Sequence, residues 1–110
     1  MSEPLPAHLL ERVAERFRVL GDSTRLSILR ALLDRSEMNV GEIVDCLGAG
    51  QANVSKHLRV LHEAGIVGRR QVGTAVYYAV ADGSIPNLCD LVCDRLRLQA
   101  EEEARIVSVR

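Results

Sequence analysis

The sequence predicts a mainly α-helical domain that carries a small β-hairpin, in the arrangement of a winged helix-turn-helix. Three observations predict this fold class. Apolar residues recur at three- and four-residue steps up to residue 63, the period changes to two at Val67, and a helical period returns after Ser84. The predicted order is therefore helix, helix, helix, tight turn, helix, hairpin, helix. Because a lone hairpin is marginal in water, we expect it to pack against the helices with its tip exposed.

The first two helices are predicted from their apolar stripes and from the residues that separate them. The first spans about 7–20, where Pro6 suits a helix start and Gly21 suits a left-handed helix end. Asp22 or Ser23 then caps the second helix. The apolar positions are Leu9, Leu10, Val13, Phe17 and Leu20 in the first helix, and Leu26, Leu29 and Leu33 in the second.

A short third helix and a longer fourth helix follow. Asn39 and Glu42 have the spacing of a capping box and open the third helix, about 40–47, which Gly48 closes. After a tight turn, the fourth helix is predicted over about 51–63 and stops at Gly65. Its apolar stripe consists of Val54, Leu58 and Leu61.

The hairpin and the last helix complete the predicted domain. Two alternating segments with β-branched and aromatic residues, about 67–71 and 76–80, flank a turn at Val72–Thr74. Asp82–Ser84 then caps a last helix, in which leucine and valine recur at helical spacing up to Leu98. We expect one domain over residues 1–110, with an ordered core at about 7–100 and a frayed tail at 101–110.

Composition restricts the class of protein. With 47% hydrophobic and 26% charged residues, the chain has the balance of a soluble globular protein. Its apolar runs are far shorter than the ~20 residues that span a bilayer, and Met1–Pro4 lacks the features of a signal peptide. We therefore expect a cytoplasmic protein without a membrane partner. Three aromatic residues are too few for a platform that stacks single-stranded nucleic acid.

The charge pattern and the fourth helix point instead to double-stranded DNA. Residues 51–80 hold four Lys or Arg against one acid, although the whole chain has a net charge of −1. Amide side chains can bond adenine edges and cationic ones can bond guanine, and the N-terminal part of such a helix enters the major groove. The candidate DNA contacts on the helix are Gln51, Asn53, Ser55, Lys56 and Arg59. Those that flank the hairpin tip, where a wing contacts phosphates, are Arg69, Arg70 and Thr74.

A solvated helix face and a charged strand edge that prevents pairing would show the same residue types. Family resemblance distinguishes these interpretations. Phe17–Leu26 resembles the F-x-x-L-x-D-x-T-R-L opening of the ArsR/SmtB family of bacterial repressors, and Val54–Val67 resembles its V-S-x-H-L-x-x-L-x-x-A-G-L-V segment. Gly73 and Val76–Tyr78 are similar to the family's wing. The resemblance implies a homodimer through the first and last helices that binds palindromic operator DNA and is released by an effector, often a metal or metalloid.

Three cysteines are the candidate effector ligands. Cys89 and Cys93 are four residues apart on one face of the last helix, where two thiolates can hold a soft ion such as Zn(II), Cd(II) or As(III). The alternatives are two small apolar residues on a dimer-facing helix and a thiol redox switch. Cys46, the third candidate, is expected in the core rather than at a metal.

The ligand patterns that the family resemblance implies fit this chain poorly. Gly41–Val44 lacks the cysteines of the third-helix site, and of the last-helix zinc site only Asp82 is retained. We expect a DNA-binding repressor that needs no cofactor to bind DNA and that leaves its operator when Cys89 and Cys93 are occupied. The alternative is the same fold as a redox- or persulfide-responsive, or effector-free, repressor. Since C-x-x-C and Gly-rich phosphate motifs are absent from the sequence, we expect neither an enzyme nor a small-molecule substrate.

Overall fold

A computed structural model describes residues 4–108 of the chain. These residues form five helices and a three-stranded antiparallel sheet, and they confirm the predicted fold class. The predictions for Met1–Glu3 and for residues 109–110 lie outside the described residues. In chain order the elements are α1 (Ala7–Leu20), α2 (Ser23–Arg35), β1 (Met38–Asn39), α3 (Val40–Leu47), α4 (Gln51–Glu63), β2 (Val67–Val72), β3 (Ala75–Val80) and α5 (Ser84–Ser108).

The junction between α1 and α2 differs in one detail from the prediction. Gly21 ends α1 with a φ of −82°, so its expected left-handed conformation is wrong. Its backbone N–H donates to the Phe17 carbonyl at 2.8 Å, and a Cβ at this position would lie 3.1 Å from that oxygen. Glycine is therefore favoured here by close backbone approach. Asp22 then caps α2 by accepting the Arg25 backbone N–H at 3.0 Å.

The predicted capping box of α3 is confirmed in both directions. The Asn39 side chain accepts the Glu42 backbone N–H at 2.8 Å, and the Glu42 carboxylate accepts the Asn39 backbone N–H at 2.9 Å. Gly48 ends the helix in the left-handed region with a φ of 69°. These two ends fix the length of α3 and hence the short turn that leads into α4.

The sheet contains a strand that the sequence did not predict. β1 pairs with β3, which lies between β1 and β2, and the register places Met38 opposite Tyr78. β2 and β3 form the predicted hairpin, although its turn is Gly73–Thr74 and Val72 is still paired with Ala75. Gly73 adopts a φ of 61°, which favours glycine in the turn. The wing is thus anchored to the segment that precedes α3.

The core positions α4 against the rest of the domain. Fully buried residues of α2, α3 and α4 meet Met38 and the start of β2 in one hydrophobic cluster. The α4 residues in it are Val54, Leu58 and Leu61, as predicted. Because these three residues share one stripe, the opposite face of α4 is turned outward over its whole length.

The last helix is longer than predicted. α5 begins at Ser84, as expected, and continues to Ser108, so the helix includes residues 101–108, for which the sequence analysis expected a frayed tail. The segment Gln99–Arg105 consists of strong helix formers, which continue the helix without packing against the core. Several large apolar residues of α5 are exposed, including Leu91 (69%) and Ile106 (70%). Among the described residues, no helix is long and apolar enough to cross a membrane.

Candidate nucleic-acid interface

The two faces of α4 separate cleanly into a packing face and an outward face. Val54, Leu58 and Leu61 are fully buried, and His57 is 8% exposed. All five side chains of α4 that the sequence predicted as DNA contacts are exposed, namely Gln51, Asn53, Ser55, Lys56 and Arg59. The buried face of α4 thus packs against the core, and the exposed face leaves these polar groups available to a ligand.

A groove runs between the outward face of α4 and the hairpin. Its lining residues are Ala52, Ser55, Lys56, Arg59, His62, Arg69 and Tyr78. Three of these side chains are cations and none of the seven is a carboxylate. Four of the eight predicted DNA contacts therefore line the groove, and they are contributed by α4 and by β2, the strand that follows it. The positively charged lining is complementary to the negative charge of a phosphate backbone.

Arg69 and Arg70 lie on opposite faces of the hairpin, because successive side chains in a strand alternate. Arg69 lines the groove. Arg70 instead forms two hydrogen bonds to the Glu37 carboxylate, 2.6 Å from Nη2 to Oε1 and 3.1 Å from Nε to Oε2, and lies 5.7 Å from the centre of the Tyr77 ring. The hydrogen bond from Arg70 lowers the pKa of Glu37. Arg70 thus ties β2 to the residue that precedes β1.

The remaining predicted contacts lie outside this groove. Gln51 and Asn53 occupy the first turn of α4, where the exposed amides face away from the core. Thr74 is exposed in the hairpin turn. The structure therefore provides three separate regions, which are the helix start, the groove and the wing tip.

Three groove residues and one buried contact were not predicted from the sequence. Ala52, His62 and Tyr78 line the groove. On the other side of α4, the Arg25 guanidinium lies 3.2 Å from His57 Nδ1 and donates from Nε to the Val19 carbonyl at 2.6 Å. The spacing of His57 contained the signal, since residues 54, 57, 58 and 61 share one helical stripe.

The cysteines do not form a complete metal site within the described part of one chain. Cys89 is half-buried and packs against the core, whereas Cys93 is exposed. Cys46 is also exposed, so its predicted place in the core is wrong; Ile43 and Leu47 occupy the inward stripe of α3 instead. Among residues 4–108, no group of three His, Cys, Asp or Glu side chains is placed to hold a metal ion.

Asp82, the one residue retained from the family's last-helix zinc pattern, is occupied by structural contacts. Its Oδ1 accepts the Ser84 backbone N–H at 2.9 Å and the Ser84 hydroxyl at 2.7 Å. Its other oxygen lies 3.6 Å from the Arg16 guanidinium of α1. The hydrogen bonds from Ser84 lower the pKa of this carboxyl. Asp82 therefore connects the start of α5 to α1.

Comparison with known proteins gives consistent matches. Residues 22–68 match the model of the bacterial regulatory protein, arsR family. The HTH-type transcriptional regulator MJ1325 of Methanocaldococcus jannaschii is 40% identical over 82 residues, which cover 74% of this chain and 92% of that protein. The cadmium resistance transcriptional regulatory protein CadC of Listeria innocua is 36% identical over 75 residues, covering 68% of this chain and 63% of CadC.

A solved structure extends the match to the whole fold. The homodimeric winged helix-turn-helix DNA-binding domain of Mycobacterium bovis Mb0332, determined by solution NMR, superposes with a TM-score of 0.77 at 31% identity. The superposition covers 93% of this chain and 95% of that domain. The similarity thus includes α1 and α5, which lie outside the segment matched by the family model.

Proposed function

Because this chain belongs to the ArsR family of bacterial regulatory proteins, we propose that it is a homodimeric repressor that binds operator DNA through α4 and the hairpin and is released by an effector. The observation that carries the proposal is the groove in which Lys56 and Arg59 of α4 lie beside Arg69 of β2. A solvated helix face alone would not require cations of the helix and of the strand that follows it to line one surface.

The three regions of the interface suit different parts of DNA. Gln51 and Asn53 in the first turn of α4 have amides that can bond base edges in the major groove. Lys56, Arg59 and Arg69 suit the phosphates that flank it. Thr74 at the hairpin tip would reach the adjacent DNA backbone or the minor groove. Arg70 would hold the hairpin in place through Glu37 while the outer face of the hairpin contacts DNA.

The surface of α1 and α5 supports a homodimer. Phe17 of α1 is 58% exposed, and several leucines, valines and an isoleucine of α5 are exposed as well. An apolar surface of this kind marks a protein interface, and the similar Mycobacterium bovis domain is homodimeric. A second copy would also supply a second α4, and two recognition helices read the two half-sites of a palindrome.

For the effector, we propose a thiophilic ion, As(III), Cd(II) or Zn(II), at Cys89 and Cys93. Thiolates are the ligands that such ions prefer; the similar CadC is a cadmium resistance regulator. Two thiolates of one protomer leave the ligand set incomplete, so the remaining donor would come from the partner subunit or, for As(III), from hydroxide. Cys89 packs against the core, so a ligand there can change the packing of α5 and, through it, the spacing of the two α4 helices.

Fluorescence anisotropy of the reduced protein on its own upstream DNA tests both parts of this proposal. Arsenite, Cd(II) and Zn(II) are titrated in turn, and we expect stoichiometric release by one of them. The variant that combines Cys89→Ser and Cys93→Ser should bind DNA as tightly and lose the release; Cys46→Ser is the matched control. Release that persists in the double variant would refute the site, and weak binding that is independent of salt would refute the DNA function.

A second candidate is regulation by thiol oxidation or persulfidation. The exposure of Cys93 and Cys46 favours it, since oxidants reach exposed thiols first. Mass spectrometry of protein treated with peroxide or polysulfide, followed by the same anisotropy titration, separates the two candidates. Modification of Cys93 with loss of DNA binding would support redox control, and intact binding after complete modification would refute it. An effector-free repressor would be insensitive to all of these treatments.

A further inference from the structure

Beneath the outward face of α4, a single arginine joins three helices. Arg25 of α2 donates from Nε to the Val19 carbonyl at 2.6 Å, and its Nη2 lies 3.5 Å from the Arg18 carbonyl. Both carbonyls belong to the last turn of α1, where helical C=O groups lack partners within the helix and favour a cation. The same guanidinium reaches His57 of α4 at 3.2 Å. Its position is fixed further by Asp22, which accepts the Arg25 backbone N–H.

The contact between Arg25 and His57 specifies the protonation of the imidazole. A guanidinium has donors and no acceptor, so His57 Nδ1 must accept and the ring proton must reside on Nε2. A second proton would place an N–H on Nδ1, directly opposite the guanidinium, with two cations 3.2 Å apart. Because His57 is 8% exposed, water cannot screen this repulsion effectively. The contact therefore exists only with neutral histidine.

One acid near His57 would attract a protonated imidazole, but this acid is already engaged by Arg25. It is Asp22 at the start of α2, whose carboxyl has a lowered pKa chiefly because it accepts the Arg25 backbone N–H. On α3, Glu42 caps its own helix and Asp45 is exposed. On β2, Arg69 lines the outer groove and Arg70 pairs with Glu37, while on α1 the Arg18 side chain pairs with Glu15.

We propose that Arg25 is a positioning residue for DNA binding. Through neutral His57 it sets the orientation of α4 relative to the end of α1, and protonation of His57 breaks this contact and frees α4 from that orientation. The inference rests on the proposed function, because it assigns the orientation of α4 to operator binding. α1 is also a proposed dimer helix. The Arg25 link would therefore couple the dimer interface to the recognition helix within each protomer, and it would do so independently of the cysteines.

Operator affinity as a function of pH provides the test. We expect the affinity of the wild-type protein to fall on acidification, by at most about tenfold per protomer for each pH unit, because the contact with Arg25 requires a neutral His57 and one proton per protomer is taken up when it breaks. His57→Asn keeps an acceptor near the position of Nδ1 but cannot titrate, so it should retain most of the affinity at pH 7.5 and lose this fall. His57→Leu should bind about tenfold more weakly or worse at every pH, since the Arg25 donor is left unpaired.

His62→Gln is the matched control on the same helix. His62 lines the outer groove, so its protonation would favour DNA binding, and its removal should leave the acid-induced fall in affinity in place or enlarge it. Identical pH profiles for wild type and His57→Asn would overturn the proposal. So would a His57→Leu variant that binds as tightly as wild type, provided that circular dichroism shows both to be folded.

A measurement without DNA separates this inference from the proposed function. Nitrogen-15 spectra of the histidine rings should show His57 as the Nε2–H tautomer at neutral pH, and Arg25→Gln should change that signal but not the signal of His62. A His57 ring protonated on Nδ1 at neutral pH would overturn the proposed contact even if DNA binds. Failure of the wild-type protein to bind DNA would refute the operator function alone, while the spectra would still decide the contact.

Discussion

Neutralising the groove cations should reduce the salt dependence of DNA binding by a calculable amount. The variant combines Lys56→Gln, Arg59→Gln and Arg69→Gln, three exposed residues that line the groove. Each cation that neutralises a phosphate contributes about 0.9 to the slope of log K against log salt concentration on B-DNA. Three phosphate-neutralising cations per protomer give six per homodimer, so the slope should become shallower by about 5. Between about 50 and 200 mM salt, the wild type should lose about a thousandfold more affinity than the variant.

The assay is fluorescence anisotropy on one operator fragment over that range of salt concentration. Arg30→Gln is the matched control, because Arg30 is an exposed cation of α2 that pairs with Asp34 and lies outside the groove. Circular dichroism should be the same for all three proteins, since the four substituted side chains are exposed. A triple variant whose slope equals that of the wild type would refute the assignment of phosphates to the groove. A slope reduced by Arg30→Gln by one third as much, which is the same reduction per charge removed, would show that net charge alone matters.

Three further predictions concern stability. Leu61→Ala removes a fully buried side chain of α4 and should lower the free energy of unfolding by about 2–5 kcal/mol, measured by urea denaturation, whereas Leu5→Ala at a 46% exposed site should change it little. Asn39→Ala removes the capping box of α3 and should cost about 1 kcal/mol in the same assay; an unchanged midpoint would contradict the cap. The pKa of Asp82 is lowered below its ordinary value of 3.8 by Ser84, so its stabilising effect is present above that value and is lost as the pH falls through the lower, folded-state value. Thermal denaturation of Asp82→Ala should show a lower melting temperature near neutral pH and a smaller decrease on acidification than wild type, and parallel curves would contradict this.

The helices and the hairpin were predictable because their signals are local. The stripes of α1 to α4, the capping residues Asp22 and Asn39 and the change of period at Val67 all lie within a few residues of the elements they define. β1 was not predicted because a strand of two residues is too short to show an alternation of apolar and polar residues, and because its partner strand begins more than 35 residues later. The conformation of Gly21 was mispredicted for a related reason. Glycine ends a helix either in the left-handed conformation or where another backbone group comes close, and only the approach of the Phe17 carbonyl in the structure distinguishes these two cases.

The candidate site was predictable as a set of residues but not as a geometry. Alternation along β2 implies that Arg69 and Arg70 face opposite ways, yet the pairing of Arg70 with Glu37 depends on where β1 lies. Cys46 was wrongly predicted in the core because cysteine as a residue type is usually buried, whereas the apolar stripe of α3 does not include Cys46 and leaves it exposed. The contact of Arg25 with His57 joins residues 32 positions apart, and only the packed structure brings them together.

The strand order β1-β3-β2 also protects the protein against aggregation through an exposed strand edge. β3 reads Ala-Val-Tyr-Tyr-Ala-Val, six residues without a charge or a proline, which is the type of segment that forms cross-β aggregates when its edge is free. In the native sheet it is the central strand, with the cationic β2 on one side and Met38–Asn39 on the other. Two residues of β1 therefore cover the middle of this edge, at Tyr77 and Tyr78, which would otherwise be free to pair with other chains. Loss of that short strand on heating would make the wing, rather than the helical core, the starting point for aggregation.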